Sequence, residues 1–303
     1  MARHTASITM IVPYVEGGGS DQRARLVARF LARHLDQSIH IVNRTGAVVG
    51  HSAISQAVPD GGTIGLITGE IGMMHWHRGL TDLTWRSYTP LAVPFVEAAA
   101  IIVATEAPYR GLPDFIEECK RRPVIGSGGP HFGVWKFALA GLLDRLHVAP
   151  AQLNWIETYS GEQGLAKVLA QEADVAPITM TDARGPLRTG AARALATMED
   201  SRHPDFPDVP TVVESIGVDW SVAHWRGFVA PAGLPEDVST RFGAAFRMVE
   251  ADPEFRAAAA ASSFTLRWRH GIEFEQYMKE DDEQFGKIIR LLGIGTGNVS
   301  KVV

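Results

Sequence analysis

The chain is 303 residues long, more than a single hydrophobic core usually serves, so two lobes are expected. Its 46% hydrophobic and 21% charged residues are those of an ordinary globular protein, and a formal charge of -5 gives it no global attraction for nucleic acid or anionic membranes. The longest uncharged apolar run, residues 98–104, is far shorter than the roughly 20 residues a membrane-spanning helix needs.

Residues 1–7 are polar and lead directly into a strand-like segment. That beginning reads as lacking a secretory signal, either a cytoplasmic protein or a mature form given a new start. The segment 8–12 predicts a strand, 13–20 a turn, and Asp21 a helix cap ahead of an apolar face of Leu26, Val27, Phe30 and Leu31. A second strand is expected over 39–42, a turn over 44–50, a short helix over 51–58, and a third strand over 63–68 after the turn 59–62. Residues 91–94 and 98–103 read as strands that leave one lobe for another.

The pattern then repeats, β before α: helix 112–121, strand 124–127, helix 132–146, strand 153–158, helix 163–171, strand 174–180 and strand 192–197. The aromatic stretch 220–230 reads as the return crossover. Helices follow over 236–248 and 253–261. A last helix carries Phe274, Tyr277, Met278, Phe285 and Ile288 at helical spacing and is expected to pack on the first lobe. The expected division is residues 1–103 with 225–303 as lobe 1 and 104–224 as lobe 2, an α/β chain with a hinge.

Several catalytic signatures are absent from the sequence: there is no phosphate-binding Gly-x-x-x-x-Gly-Lys-Ser/Thr loop, no strand-linked Gly-x-Gly-x-x-Gly and no Gly-x-Ser-x-Gly elbow. The His75-Trp76-His77 spacing, with Glu70 and Asp82 nearby, is too sparse to specify a metal, so no metal and no cofactor are expected. The lone Cys119, within Glu-Glu-Cys-Lys-Arg, excludes an internal disulfide and reads as a helix-surface residue.

Four loops follow the carboxyl ends of predicted strands, where ligands of open α/β sheets sit. They are residues 13–21, with Gly17, Gly18 and Gly19 in a row; 43–47, beginning at Asn43; 127–131, Ser127-Gly128-Gly129-Pro130-His131; and 158–161, with Tyr159. Each ends in small residues before a helix, so backbone N–H groups and the positive helix end can face an anion. Such a set can hold a carboxylate without a buried Arg or Lys. His131, beside a helix start, reads equally as a ligand contact or as a hydrogen-bonded member of its own loop.

These segments carry a resemblance. Ile11-Val12-Pro13-Tyr14, the glycine run through Ser20-Asp21, Val42-Asn43-Arg44-Thr45-Gly46-Ala47, Pro59-Asp60-Gly61-Gly62-Thr63, Pro207-Asp208-Val209-Pro210-Thr211, Trp225-Arg226-Gly227-Phe228 and Ala230-Pro231-Ala232-Gly233-Leu234-Pro235 occur in the order of the Bug/TctC family. That family comprises the extracytoplasmic solute receptors of tripartite tricarboxylate transporters. The resemblance implies a type II periplasmic-binding-protein fold with mixed or parallel sheets and an interlobe cleft. It also implies a periplasmic location, a monomer, and delivery of a small organic acid to membrane transporter subunits by lobe closure. Tyr14, Gly17, Gly18, Ser20, Asp21, Ser127 and Gly128 match the family's carboxylate-clasping positions.

The chain also departs from the family pattern. Glu16 stands where a small neutral residue is usual, Trp135 where histidine is common, and Asp182 follows a strand that often reaches the ligand's distal end. An ionised Glu16 repels a carboxylate unless it points to solvent. Together, Glu16 and Asp182 motivate the expectation of a ligand that also bears a cationic or hydrogen-bond-donating group. A ligand-responsive sensor and an enzyme on the same two-lobed architecture remain the alternative functions.

Overall fold

The computed structural model describes residues 7–71, 81–129, 133–262, 264–291 and 293. The chain divides into two compact units, one of residues 1–96 with 225–303 and the other of residues 97–224.

The first unit is built on a sheet in the order β10-β4-β9-β3-β1-β2. Here β1 is Ser7–Val12, β2 Ser38–Asn43, β3 Thr63–Thr68, β4 Tyr88–Ala104, β9 Ala223–Pro231 and β10 Leu266–His270. β1 runs parallel to β2 and β3, whereas β9 is antiparallel to β3 and β10 to β4, so the sheet is mixed.

Side chains alternate across a strand, and β1 uses both faces. Ile8, Met10 and Val12 pack with Val27, Phe30 and Leu31 of α1 (Gly19–Leu35) and with Phe242 and Phe246 of α8 (Glu236–Ala251). Ile11 faces the other way, into a cluster with Ile54 of α2 (Ala47–Ser55) and with Phe274 and Met278 of α10 (Gly271–Leu291). The last helix therefore packs on the first unit, as its spacing predicts. Each fully buried Phe contributes about 1.5–3 kcal/mol relative to exposure.

Two glycines let helices come close to this sheet. A Cβ on Gly65 would lie 2.3 Å from Ile54 Cδ1, and one on Gly227 would lie 2.2 Å from Phe274 Cζ. At a third, Gly50 inside α2, an added Cβ would lie 2.6–2.7 Å from Pro13 and the Arg44 carbonyl. α2 begins at Ala47 rather than at His51: the stretch expected as a turn includes the first turn of the helix, entered from Gly46 at φ 108°.

The second unit holds the carboxyl-terminal part of β4, paired antiparallel with β7 (Ala176–Thr179) and β8 (Ala192–Thr197), and a parallel pair of β5 (Val124–Ser127) and β6 (Leu153–Ile156). Its helices are α3 (Leu112–Arg121), α4 (Val134–Arg145), α5 (Gly161–Leu169), α6 (Arg184–Thr189) and α7 (Val212–Ile216). The remaining helix of the first unit is α9 (Pro253–Ala261).

Three further expectations change. Residues 91–94 and 98–103 belong to one 17-residue strand, β4. Cys119 is buried completely, because Leu112, Phe115, Ile116 and Cys119 repeat at i, i+3, i+4 and i+7 and form the inner face of α3. Asp21 is not the cap of α1: Gly18 takes that position and Asp21 lies in the first turn.

Candidate functional site

In the first unit, the turn between β1 and α1 is held by one carboxylate. Asp21 is 0% exposed, and its Oδ2 accepts the Gly17 N–H at 2.8 Å and Arg25 Nε at 2.7 Å. Its Oδ1 accepts Asn43 Nδ2 at 2.9 Å, and the same amide nitrogen donates to the Tyr14 carbonyl at 3.0 Å. Asn43 at the end of β2 thus fastens the turn that follows β1. Burial acts to raise the Asp21 pKa, but the bonds from Arg25, Asn43 and Gly17 outweigh it and hold the carboxyl below its ordinary value.

The glycine run is a shaped turn. Gly17 has φ 77°, a left-handed conformation that side chains disfavour, and the Gly18 N–H donates to the Val15 carbonyl at 3.2 Å. The N–H groups of Gly17 and Gly18, which the sequence reading offers to an anion, are therefore used inside the turn. Helix geometry leaves the next donors, on Gly19, Ser20 and Asp21, without i−4 partners in α1. Glu16 points outward, its side chain 78% exposed and paired with Arg25 at 3.0 Å.

A second cluster lies beside the turn at the carboxyl ends of β1 and β3. Tyr14 Oη donates to Glu70 Oε2 at 2.8 Å and stands 2.8 Å from Thr68 Oγ1, which in turn receives the Glu70 N–H at 3.3 Å. With the Tyr14 proton committed to Glu70, the Thr68 hydroxyl donates to Tyr14, so the bonds run in one direction around a closed ring. Arg226 pairs in register with Thr68 across β3 and β9, and its Nε donates to Ser20 Oγ in the first turn of α1 at 3.2 Å.

Burial raises the Glu70 pKa, while the Tyr14 bond and the Arg226 charge work against the rise. Tyr14 is itself pushed well up, by burial first and then by the Glu70 charge. Neither Glu70 nor Arg226 stands out as a ligand contact in the sequence. Arg226 stands in the Trp225-Arg226-Gly227-Phe228 motif.

In the second unit, the loops after β5 and β6 come together through small residues. The Ser127 hydroxyl donates to the Ile156 carbonyl at 2.9 Å and its N–H to the Val175 carbonyl at 3.0 Å, so this fully buried side chain ties strands together. Gly129 has φ 150°, and its carbonyl accepts Thr158 N and Trp155 Nε1. A Cβ on Gly164 of α5 would lie 2.4 Å from the backbone of Gly128, so the helix rests directly on the loop.

Ser160 caps α5 by accepting the Gln163 N–H. This puts the helix start at Gly161, two residues before the expected Gln163. Tyr159 is 95% exposed. Asp182 brings its own carboxylate to this helix end, where a Cβ on Gly161 would lie 3.0 Å from Oδ2, and it thereby meets the positive pole of α5. Lys136, in the first turn of α4, is 9% exposed; burial lowers its pKa and Glu157 opposes that.

His131 with Pro130, and the His75-Trp76-His77 segment, lie outside the described residues. Among the described residues no group of three or more His, Cys, Asp or Glu could hold a metal ion, and no helix is long and apolar enough to cross a membrane.

This fold, with glycine turns and helix ends gathered at strand termini, is that of the periplasmic-binding-protein class. The profile of the tripartite tricarboxylate transporter family receptors, TctC, matches residues 23–294, and the chain belongs to that family. A Bordetella pertussis protein of the UPF0065 group is 30% identical over 254 residues, 82% of this chain and 77% of its own. A TctC solute-binding protein from Polaromonas superposes with a TM-score of 0.86 at 25% identity, covering 94% of this chain and 98% of that one. MatC from Rhodopseudomonas palustris, solved with bound malate, gives a TM-score of 0.71 at 22% identity over 93% and 98% of the two chains.

Proposed function

We propose that this chain is a periplasmic receptor that captures a small organic acid by lobe closure and passes it to the membrane subunits of a tripartite tricarboxylate-type transporter. It acts as a monomer and makes or breaks no bond. The observation that carries the reading is the joining of a helix N-terminus to a cation: the first N–H groups of α1 and the Arg226 guanidinium meet at Ser20, where an anion gains from both. The malate held by the Rhodopseudomonas palustris relative is a ligand of the matching chemistry.

Within this reading Gly19, Ser20 and Arg226 face the carboxylate from the first unit. Gly17, Gly18, Tyr14, Asp21 and Asn43 give the turn its shape. In the second unit Gly128, Gly129, Tyr159 and the first turns of α4 and α5 supply the remaining contacts, with Ser127 as the anchor of their loop and Asp182 at its margin.

A thermal-shift screen of mono-, di- and tricarboxylates tests the proposal, because a ligand that binds only the folded state adds about 2.7 kcal/mol at one hundred times its Kd. Several carboxylates are expected to raise Tm, with the bound acid recovered unchanged by mass spectrometry. No shift at millimolar concentration overturns the carboxylate reading, and turnover of the acid overturns the receptor reading.

A further inference from the structure

We infer that Glu70 and Arg226 act together as the specificity-determining pair of the first unit, Arg226 taking a ligand carboxylate and Glu70 taking a hydrogen-bond donor on the adjoining carbon. The preferred ligand class is then a 2-hydroxy or 2-amino organic acid. This inference rests on the carboxylate-receptor reading above and narrows its ligand.

The placement comes first. Thr68 and Arg226 are register partners at the end of β3, Tyr14 follows β1, and Ser20 opens α1, so all belong to the carboxyl edge of the sheet, where open α/β folds bind ligands. Tyr14, Glu70 and Arg226 each keep some exposed surface, although the Tyr14 hydroxyl and the Glu70 carboxyl themselves are largely desolvated. The Nε bond to Ser20 fixes the guanidinium against the first turn of the helix.

The carboxylate of Glu70 is held just as firmly. In the ring, the Glu70 N–H donates to Thr68 Oγ1, the Thr68 hydroxyl to Tyr14 Oη, and the Tyr14 hydroxyl to Glu70 Oε2, so the chain of donors ends on the carboxylate. Oε2 takes the Tyr14 hydroxyl, and a carboxylate keeps further lone pairs, those of Oε1 among them, with which to accept a donor. A receptor for unsubstituted acids gains nothing from a fixed carboxylate there, because like charges repel strongly in a partly dry site. The repulsion becomes discrimination once the ligand carries a donor that Glu70 can accept, since acids without one meet an unrelieved negative charge. Glu16, which in the sequence suggests the same preference, is turned to solvent and paired with Arg25, so Glu70 is the residue that carries it.

The test is isothermal titration of succinate, malate and aspartate, which share a four-carbon dicarboxylate frame and differ at one carbon. The wild-type chain is compared with Glu70→Gln and Arg226→Gln, and circular dichroism and melting curves check that each variant is folded. Wild type is expected to bind malate or aspartate at least about tenfold more tightly than succinate, with the better of the two telling hydroxyl from ammonium. Glu70→Gln, whose amide oxygen still accepts from Tyr14, is expected to shrink that ratio toward one. Arg226→Gln is expected to weaken all bound acids by about tenfold or more. Binding of succinate as tight as that of the substituted acids, or a ratio unchanged in Glu70→Gln, overturns the inference and leaves the receptor reading standing. If none of a broad carboxylate panel binds the wild type, both fail together.

Discussion

Asp21 accepts the backbone N–H of Gly17 with the same oxygen that takes Arg25 Nε, and through this the start of α1 and the glycine turn become one unit. Removing the carboxylate as Asp21→Ala strands the Gly17 N–H and the Asn43 amide. The expected cost is about 2–3 kcal/mol, discounted for the half-exposed Arg25, measured by urea unfolding. Asp21→Asn keeps two acceptor positions at most and falls between. The lowered pKa sets the pH sense: the stabilisation is complete above the ordinary Asp value of 3.8 and is lost as pH falls through the lower folded value. Acid unfolding of Asp21→Asn therefore shows a shallower slope below that point than wild type.

Glu16 makes the opposite prediction. Its side chain is 78% exposed and its partner Arg25 is already held by Asp21, so the surface pair contributes little. Glu16→Gln is expected to change Tm by less than about 2 °C and ligand affinity by less than about threefold. A gain of tenfold or more in carboxylate affinity would return Glu16 to the site.

What the sequence made readable, and what it hid, follows from the range of each interaction. The alternation Ile8, Met10, Val12 against Ile11 is local, so β1 and its two faces follow from period two. The order of β and α elements and the glycine loops at strand ends are similarly local. β10 is too short and too charged, Leu-Arg-Trp-Arg-His, to register as a strand, and it exists because β4 offers an edge to pair with. β4 looks like two strands because Pro94 and Glu97 break its apolar run. Cys119 reads as surface from its charged neighbours, yet its inward direction is set by residues three, four and seven positions earlier. Arg226 and Glu70 are 156 positions apart, and only the register of β3 with β9 brings one beside the other.

Gly164 tests how closely the second unit's loop must be seated. An added Cβ meets the backbone of Gly128 at 2.4 Å, and backbone cannot rotate away as a side chain can. Gly164→Ala is expected to cost about 1–3 kcal/mol and to weaken ligand binding by tenfold or more through displacement of the Gly128–Gly129 loop. Gly61→Ala is the control. Gly61 has φ 86° and its added Cβ meets Val238 at 2.6 Å just before the amino-terminal end of β3, away from the carboxyl edge, so it destabilises while binding at a temperature well below its melt stays near wild type.

Asp281 gives a pH signature that is the reverse of Asp21. It lies in α10, accepts Trp225 Nε1 at 2.9 Å, and sits against Gly69, where a Cβ would be 3.0 Å from its Oδ2. Burial pushes its pKa up to about 7; the Trp225 bond opposes the rise and the neighbouring Asp282 charge adds to it. A carboxyl with a folded pKa above its unfolded value of 3.8 binds more protons in the native state between those limits, so stability declines as pH rises from about 4 to 7 and levels off beyond. Asp281→Asn keeps an oxygen for Trp225 and removes the charge. The variant is expected to flatten that decline and to exceed wild type at pH 8 by about 1–3 kcal/mol, read from urea midpoints at several pH values. Trp225 fluorescence provides the independent check: wild type is expected to change across pH 6–8 and Asp281→Asn to stay level. A wild-type stability that rises over this range would mean that Asp281 is ionised in the folded chain and that its bond to Trp225 is charge-assisted.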